Sequence, residues 1–268
     1  MIPAPPPGAA DELPPRPDVP GVEASLPKVS WGWLEAIALY GVGYLLIANI
    51  LVGAIVFTMA GVDDPSATEG SVGIVATVVV DLVFVGVMVL WLARRHPGWV
   101  EALGLPPRGK RLRAFGWGAA MGIVLYPVIA IVIGLPLSLL LEALSGEPAS
   151  APEQVPTDLS SAGKVLAVIL AVAIAPVMEE LFYRGVLFRS IRDRHGFWAG
   201  ALLSAVLFGV VHYLPSPWQD AVLLQGAMVF TGFAFAWIYE RRGTILASIG
   251  AHVVFNVIGI ALILSGAA

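Results

Sequence analysis

Hydrophobic residues in this chain come in long blocks, not in the alternating or one-faced patterns of a soluble domain. From residue 33 to residue 265 the blocks run to about 20 residues each, the length a helix needs to cross a ~30 Å hydrocarbon core. Short polar stretches separate them. The pattern predicts seven membrane-spanning helices, over 33–60, 72–93, 115–141, 164–188, 197–214, 219–239 and 244–265. The expected fold class is all-α: a polytopic helical membrane protein with a polar intramembrane cavity. Pro127 and Pro136 in the third block predict kinks, which membrane helices tolerate.

Residues 1–30 lack this periodicity and hold nine prolines. They read as a disordered, proline-rich cytoplasmic tail that tethers the first helix. No basic stretch followed by an apolar run marks a cleavable signal peptide, so the first span is expected to serve as the insertion signal. Three organisational parts follow: the tail at 1–30, the first three helices with their loops at 31–163, and a C-terminal core at 164–265.

Composition agrees with the pattern. Of 268 residues 58% are hydrophobic and 13% charged, about half the charge of an average soluble domain. A net charge of -4 with no basic stripe argues against a nucleic-acid partner. The absence of cysteine excludes disulfides, thiolate catalysis and cysteine metal sites.

Charge placement orients the helices. With the tail inside, every one of the 15 Lys and Arg residues except Lys164 and Arg184 falls in the tail or in the loops 94–114, 189–196 and 240–243. This positive-inside bias predicts an N-in, C-out protein of the cytoplasmic (plasma) membrane. Asp63, Asp64, Glu69, Glu147, Glu153 and Asp158 fall outside. Trp31, Trp33, Trp91, Trp99, Trp117, Trp198, Trp218 and Trp237 lie near span ends, as an interfacial aromatic belt would.

Against this background a few polar residues stand out, because ionisable groups inside a bilayer are costly and mark function. The fourth span contains Glu179, Glu180 and Arg184. Glu180 and Arg184 are one helical turn apart and can pair. Glu179 is rotated by about 100° from Glu180, so the two carboxylates are expected to face different environments. One carboxylate held by arginine and one left in a dry setting would suit general-base work by the second. A purely structural salt bridge would account for Glu180 and Arg184 but leave Glu179 unexplained.

The fifth span carries Phe208 and His212, and the seventh His252 and Asn256, each pair again four residues apart on one face. Read alone, each has a bland alternative: an interfacial histidine, or interhelical hydrogen bonding. At ~1.5 Å per residue, Glu179 and His252 lie ~15 Å from the inner helix ends and His212 ~22 Å, so all can converge near the midplane. Asp81 in the second span has no sequence-local partner and reads as structural.

A carboxylate, two imidazoles and a carboxamide make a water-activating, oxyanion-stabilising set suited to amide hydrolysis inside the membrane. Two routes are open. Glu179, His212 and His252 could bind a divalent metal such as zinc that lowers the pKa of water. Alternatively Glu179 and His212 activate water without metal, while His252 and Asn256 bind the oxyanion. Neither HExxH nor a nucleophile-elbow serine is present.

"EELFYR" (Glu179 to Arg184), "FGVVH" (Phe208 to His212) and "HVVFN" (His252 to Asn256) resemble, in order, the EExxxR, FxxxH and HxxxN/D motifs of the CPBP family. These are the CAAX-protease and bacteriocin-processing (Abi, or type II CAAX prenyl endopeptidase) intramembrane endopeptidases. The resemblance covers about 164–260. It implies a helical fold with a conical cavity and cleavage of a membrane-anchored or transmembrane peptide substrate within the lipid bilayer. It also implies that Glu179 acts on water with His212, and that His252 and Asn256 stabilise the oxyanion. Glu180 and Arg184 would then orient the site and Phe208 shape it. The family's label is metalloprotease, while the residue set equally suits a metal-free glutamate mechanism. Two other classes compete: a non-catalytic scaffold or immunity protein that binds a peptide, and a proton-coupled transporter, whose repeated halves the sequence lacks.

Overall fold

A computed structural model describes residues 26–61, 70–152, 154 and 159–265. The outer-loop residues Asp63, Asp64, Glu69, Glu153 and Asp158, and the tail up to residue 25, lie outside the described residues. Among the described residues six helices are long and apolar enough to cross a membrane: α1 Trp33–Met59, α2 Ser71–Arg95, α3 Arg108–Ser145, α4 Ser161–Val211, α5 Trp218–Arg242 and α6 Ile245–Ser265. The all-helical membrane architecture expected from the apolar blocks is what the chain adopts.

The expected fourth and fifth spans lie in one continuous helical run, α4, so the seven expected passes are carried by six helices. Its backbone is helical throughout except at Gly196, where φ is 86° and ψ 171°. That left-handed φ is open to glycine and costly for other residues. The chain doubles back there. Phe188 meets Phe197 at 6.1 Å between ring centroids, and Tyr183 meets Phe208 at 5.2 Å. A Cβ on Gly200 would press on Arg192. The sums of these residue numbers stay nearly constant, the signature of antiparallel packing, so α4 is a hairpin with limbs at 161–195 and 197–211.

A second contact agrees with the hairpin. Gly118 packs on Ala247, Gly122 on Ala251 and Tyr126 on Phe255, with a constant offset, so α3 and α6 run parallel. Three passes between parallel helices require the reversal at Gly196. The basic stretches at the end of α2, the start of α3, the α4 turn and the end of α5 thus share one end of the bundle.

Small residues create the α3–α6 contact, as in GxxxG-type membrane packing. A Cβ on Gly118 would overlap the Ala247 carbonyl, and one on Gly122 the Ala251 carbonyl, whereas Gly116 has open space. Gly118→Ile and Gly122→Ile are therefore expected to lower the thermal midpoint in detergent sharply. Gly116→Ile should leave it nearly unchanged, a contrast that unfolding by intrinsic fluorescence measures.

The turn of the α4 hairpin is tied down by buried arginines. Arg189, 1% exposed, donates to the Ala102 and Pro27 carbonyls, to the Tyr239 hydroxyl and to Asp193. Asp193 accepts from the Val29 N–H, and Arg192 pairs with Glu240. Residues 26–30 are therefore held against the core and do not continue the expected disordered tail. Trp31 likewise departs from the expected aromatic belt. It is fully buried, and its Nε1 donates to the Val186 carbonyl at 3.0 Å. Trp198 and Trp218, in contrast, are exposed.

Two prolines shape α3 as expected of kink sites, but by widening it. The stretch between Pro127 and Pro136 runs as π-helix over Ile129–Gly134. Near the polar residues α4 does the same, with π turns at Leu170–Ile174 and Glu180–Phe188.

Candidate active site

The first limb of α4 positions the two glutamates through its change of helical pitch. Residues Ala175–Glu179 are α-helical, and the π segment begins at Glu180. In the π pattern the Ala171 carbonyl would take its bond from residue 176, a proline without an N–H. Asn256 of α6 supplies the missing donor: its Nδ2 donates to the Ala171 oxygen at 2.7 Å. Pro176 thus opens an acceptor that ties α6 to α4.

Glu180 is fully buried and its Oε1 lies 3.1 Å from an Arg184 guanidinium nitrogen. The pairing read from the i,i+4 spacing is present. Arg184 also donates to the Gly232 carbonyl of α5 at 3.0 Å, and its guanidinium carbon sits 4.5 Å from the Phe208 ring centre and 5.3 Å from that of Phe235. The same Glu180 Oε1 accepts from His252 Nδ1 at 2.9 Å. Glu180 is therefore shared between an arginine and a histidine.

Glu179 faces the other nitrogen of that ring. Its Oε2 lies 3.8 Å from His252 Nε2 and 4.0 Å from His212 Nε2, and it has no hydrogen-bond partner among the described residues. The expectation that the carboxylates see different surroundings needs refinement. Both meet His252, on opposite nitrogens, because the imidazole lies between them.

Each histidine has one nitrogen committed. His212 Nδ1 donates to the Phe208 carbonyl at 2.6 Å, which can only accept. His252 Nδ1 donates to the Glu180 carboxylate in the same way. In the neutral rings these contacts leave the lone pair on Nε2, the nitrogen turned toward Glu179. Aromatic rings hold both in place: Phe208 lies 4.5 Å from His212, and Phe235 stacks on His252 at 4.6 Å and 27°.

Glu179, Glu180, Arg184, His212 and His252 thus form one cluster, with Phe208 against the His212 ring and edge-on to His252, while Asn256 binds the first limb of α4 at Ala171. Phe235 and the Gly232 carbonyl complete the surroundings without any local sequence signal, since α5 contributes only apolar or main-chain groups. The 3.8 and 4.0 Å separations are about half an ångström wider than the ~3.4 Å between ligands of a tetrahedral ion with ~2.1 Å bonds, so an ion held by Glu179, His212 and His252 would draw the three together. No group of three or more His, Asp or Glu able to hold a metal ion occurs among the described residues.

Comparison with known proteins points to the same part of the chain. Residues 161–258 match the family described as "Type II CAAX prenyl endopeptidase Rce1-like". A Bacillus subtilis (strain 168) protein described as "Putative membrane peptidase YdiL" is 33% identical over 93 residues, which is 34% of each chain. The similarity thus spans about a third of that relative's length. No solved structure matches. The family segment contains Glu179, Glu180, Arg184, Phe208, His212, His252 and Asn256.

Proposed function

From a segment, 161–258, that matches the Rce1-like family of type II CAAX prenyl endopeptidases, we propose that this protein is an intramembrane endopeptidase that hydrolyses a peptide bond by a glutamate-dependent mechanism. One observation carries the reading: a carboxylate oxygen without a partner among the described residues, bracketed at 3.8 and 4.0 Å by the Nε2 atoms of two histidines. The gaps are too wide for direct hydrogen bonds and suit an intervening water.

In this mechanism the water is held between Glu179 and His212, whose Nε2 lone pair accepts one of its protons in a hydrogen bond. Glu179 takes the other proton as the water oxygen attacks the carbonyl carbon. In its imidazolium form, with a second proton taken up from solvent before the peptide binds, His252 has both nitrogens as donors: Nδ1–H stays on Glu180 and Nε2–H points to the developing oxyanion. One N–H of the Asn256 carboxamide holds Ala171, and the other serves the oxyanion. Glu179 then returns its proton to the leaving amine as the C–N bond breaks. Arg184 and Glu180 act through His252 by fixing its ring.

The substrate in this reading is a membrane-anchored or transmembrane peptide presented from the lipid bilayer. CAAX-type processing enters by family likeness alone. The protein would sit in the cytoplasmic membrane, N-terminus inside and C-terminus outside, as the positive-inside distribution supports.

The test uses purified protein and a panel of membrane-tethered peptides, with products read by mass spectrometry. Cleavage should persist after exhaustive chelation with metal content confirmed at zero. Loss on chelation, restored by zinc, would replace this mechanism with one in which Glu179, His212 and His252 close around an ion. Absence of cleavage for every peptide would remove the endopeptidase reading.

A further inference from the structure

Asp81 is the only charged side chain in α2 before Arg94, and nothing in the mechanism above uses it. It is 2% exposed, and its Oδ1 has no hydrogen-bond partner among the described residues. A buried oxygen left without a donor costs stability, so its retention needs a reason.

Its position supplies one. Near the start of α2, Ile74 and Val78 cluster with Leu166, Ala167 and Leu170 of α4. Further along, Phe84 lies 5.7 Å from Phe182 between ring centroids. Both numbers rise together, so α2 runs parallel to the first limb of α4, and the π turns of α4 absorb the change in offset. Asp81 stands between Val78 and Phe84. Its level on α4 therefore falls in Ala175–Glu179, a segment that α2 contacts directly. Phe84, one turn on from Asp81, packs against Tyr40 and Tyr44 of α1.

Asp81, with its unpartnered Oδ1, thus stands at the level of Glu179, whose Oε2 is likewise unpartnered among the described residues. Glu179 is committed to water. The donors of the site, His252 and Asn256, serve the substrate carbonyl. A peptide strand brought into an apolar interior also carries N–H groups, each of which must find an acceptor there. Glu180 Oε2 is also without a hydrogen-bond partner among the described residues, but its carboxylate is already held between Arg184 and His252.

We propose that Asp81 is a substrate-binding residue whose Oδ1 accepts a backbone N–H of the peptide next to the scissile bond. The inference rests on the endopeptidase reading and deepens it: the site recognises the peptide main chain, not only the bond that is cut. It also explains why a membrane helix keeps a carboxylate that weakens its packing.

The experiment measures binding, so that it stands apart from turnover. Glu179→Gln protein in detergent is titrated with a fluorescent alanine- and leucine-rich peptide tethered to lipid through a palmitoylated cysteine. A matching set replaces each backbone N–H in turn by an ester oxygen. With Asp81 intact, one ester position should weaken binding about tenfold, the worth of a hydrogen bond to a charged acceptor. In the Asp81→Ala background the all-amide peptide should bind about tenfold weaker, and that ester should carry no further penalty. Asp81→Asn, which keeps an acceptor oxygen, should retain most of the ester sensitivity and guards against misfolding of the alanine variant. Asp81→Leu should raise the thermal midpoint while weakening binding. An ester scan that is identical with and without the Asp81→Ala change, with wild-type protein still cleaving, would overturn this proposal alone. Binding and ester sensitivity without cleavage by wild type would uphold it and defeat the endopeptidase reading. A protein that binds no peptide would defeat both.

Discussion

Glu179→Gln protein is expected to fold like wild type and to cleave a membrane-tethered peptide at least ~100-fold more slowly, the usual scale for losing a general base. Glutamine has the shape of glutamate, and the Oε2 it replaces makes no hydrogen bond among the described residues whose loss would disturb packing. What it lacks is the ability to take a proton from water. His212→Ala should fall by a similar factor, since His212 Nε2 is the second group facing the water position. The two losses should not multiply, because both residues act on one water molecule. Initial rates from product mass spectrometry measure this, with an unchanged thermal midpoint as the folding control. A Glu179→Gln protein that keeps wild-type rates would show that the carboxylate is structural.

Arg184→Met carries the largest expected effect on stability. The Glu180–Arg184 pair is buried, 0% and 1% exposed, and the guanidinium also holds Gly232 and lies over Phe208 and Phe235. Removing one partner of such a pair strands the other charge, at a cost of about 3–5 kcal/mol. The double change Glu180→Gln with Arg184→Met removes both charges and should recover much of that loss. Activity should not return with stability, because His252 Nδ1 would then have lost its carboxylate. Unfolding in detergent, paired with the cleavage assay on the same preparations, separates the two effects. Equal recovery of stability and rate would mean that Glu180 has no part in setting the His252 ring.

Much of this site can be read from local spacing alone. Residues four apart share a helix face, so the Glu180–Arg184 pair and the placement of Phe208 beneath His212 follow from the sequence. Polar groups in apolar blocks stand out for the same reason, and Glu179, His212 and His252 do meet. What spacing cannot convey is which ring nitrogen meets which partner across helices. Glu180 reaches His252, 72 positions away, and Asn256 reaches a carbonyl opened by Pro176, 85 away. Phe235 is one apolar residue among many in α5 until the fold stacks it on His252. Asp81 reads as isolated in the sequence because its relation to Glu179 depends on the parallel register of α2 and α4. The hairpin was legible as two apolar blocks, but its closeness depends on the backbone of Gly196. Trp31 misled for a related reason. Its place near a span end suits a lipid interface, yet the α4 carbonyl it meets is invisible in sequence.

The central claim is that Glu179 delivers water directly to the peptide carbonyl. Its most direct test is a single turnover of wild-type enzyme in isotopically labelled water, followed by mass analysis of both product and protein. Direct attack predicts one labelled oxygen in the new C-terminal carboxylate and none in the peptide containing Glu179. Label in Glu179 with an unlabelled product would show a covalent acyl intermediate on that residue and contradict the account.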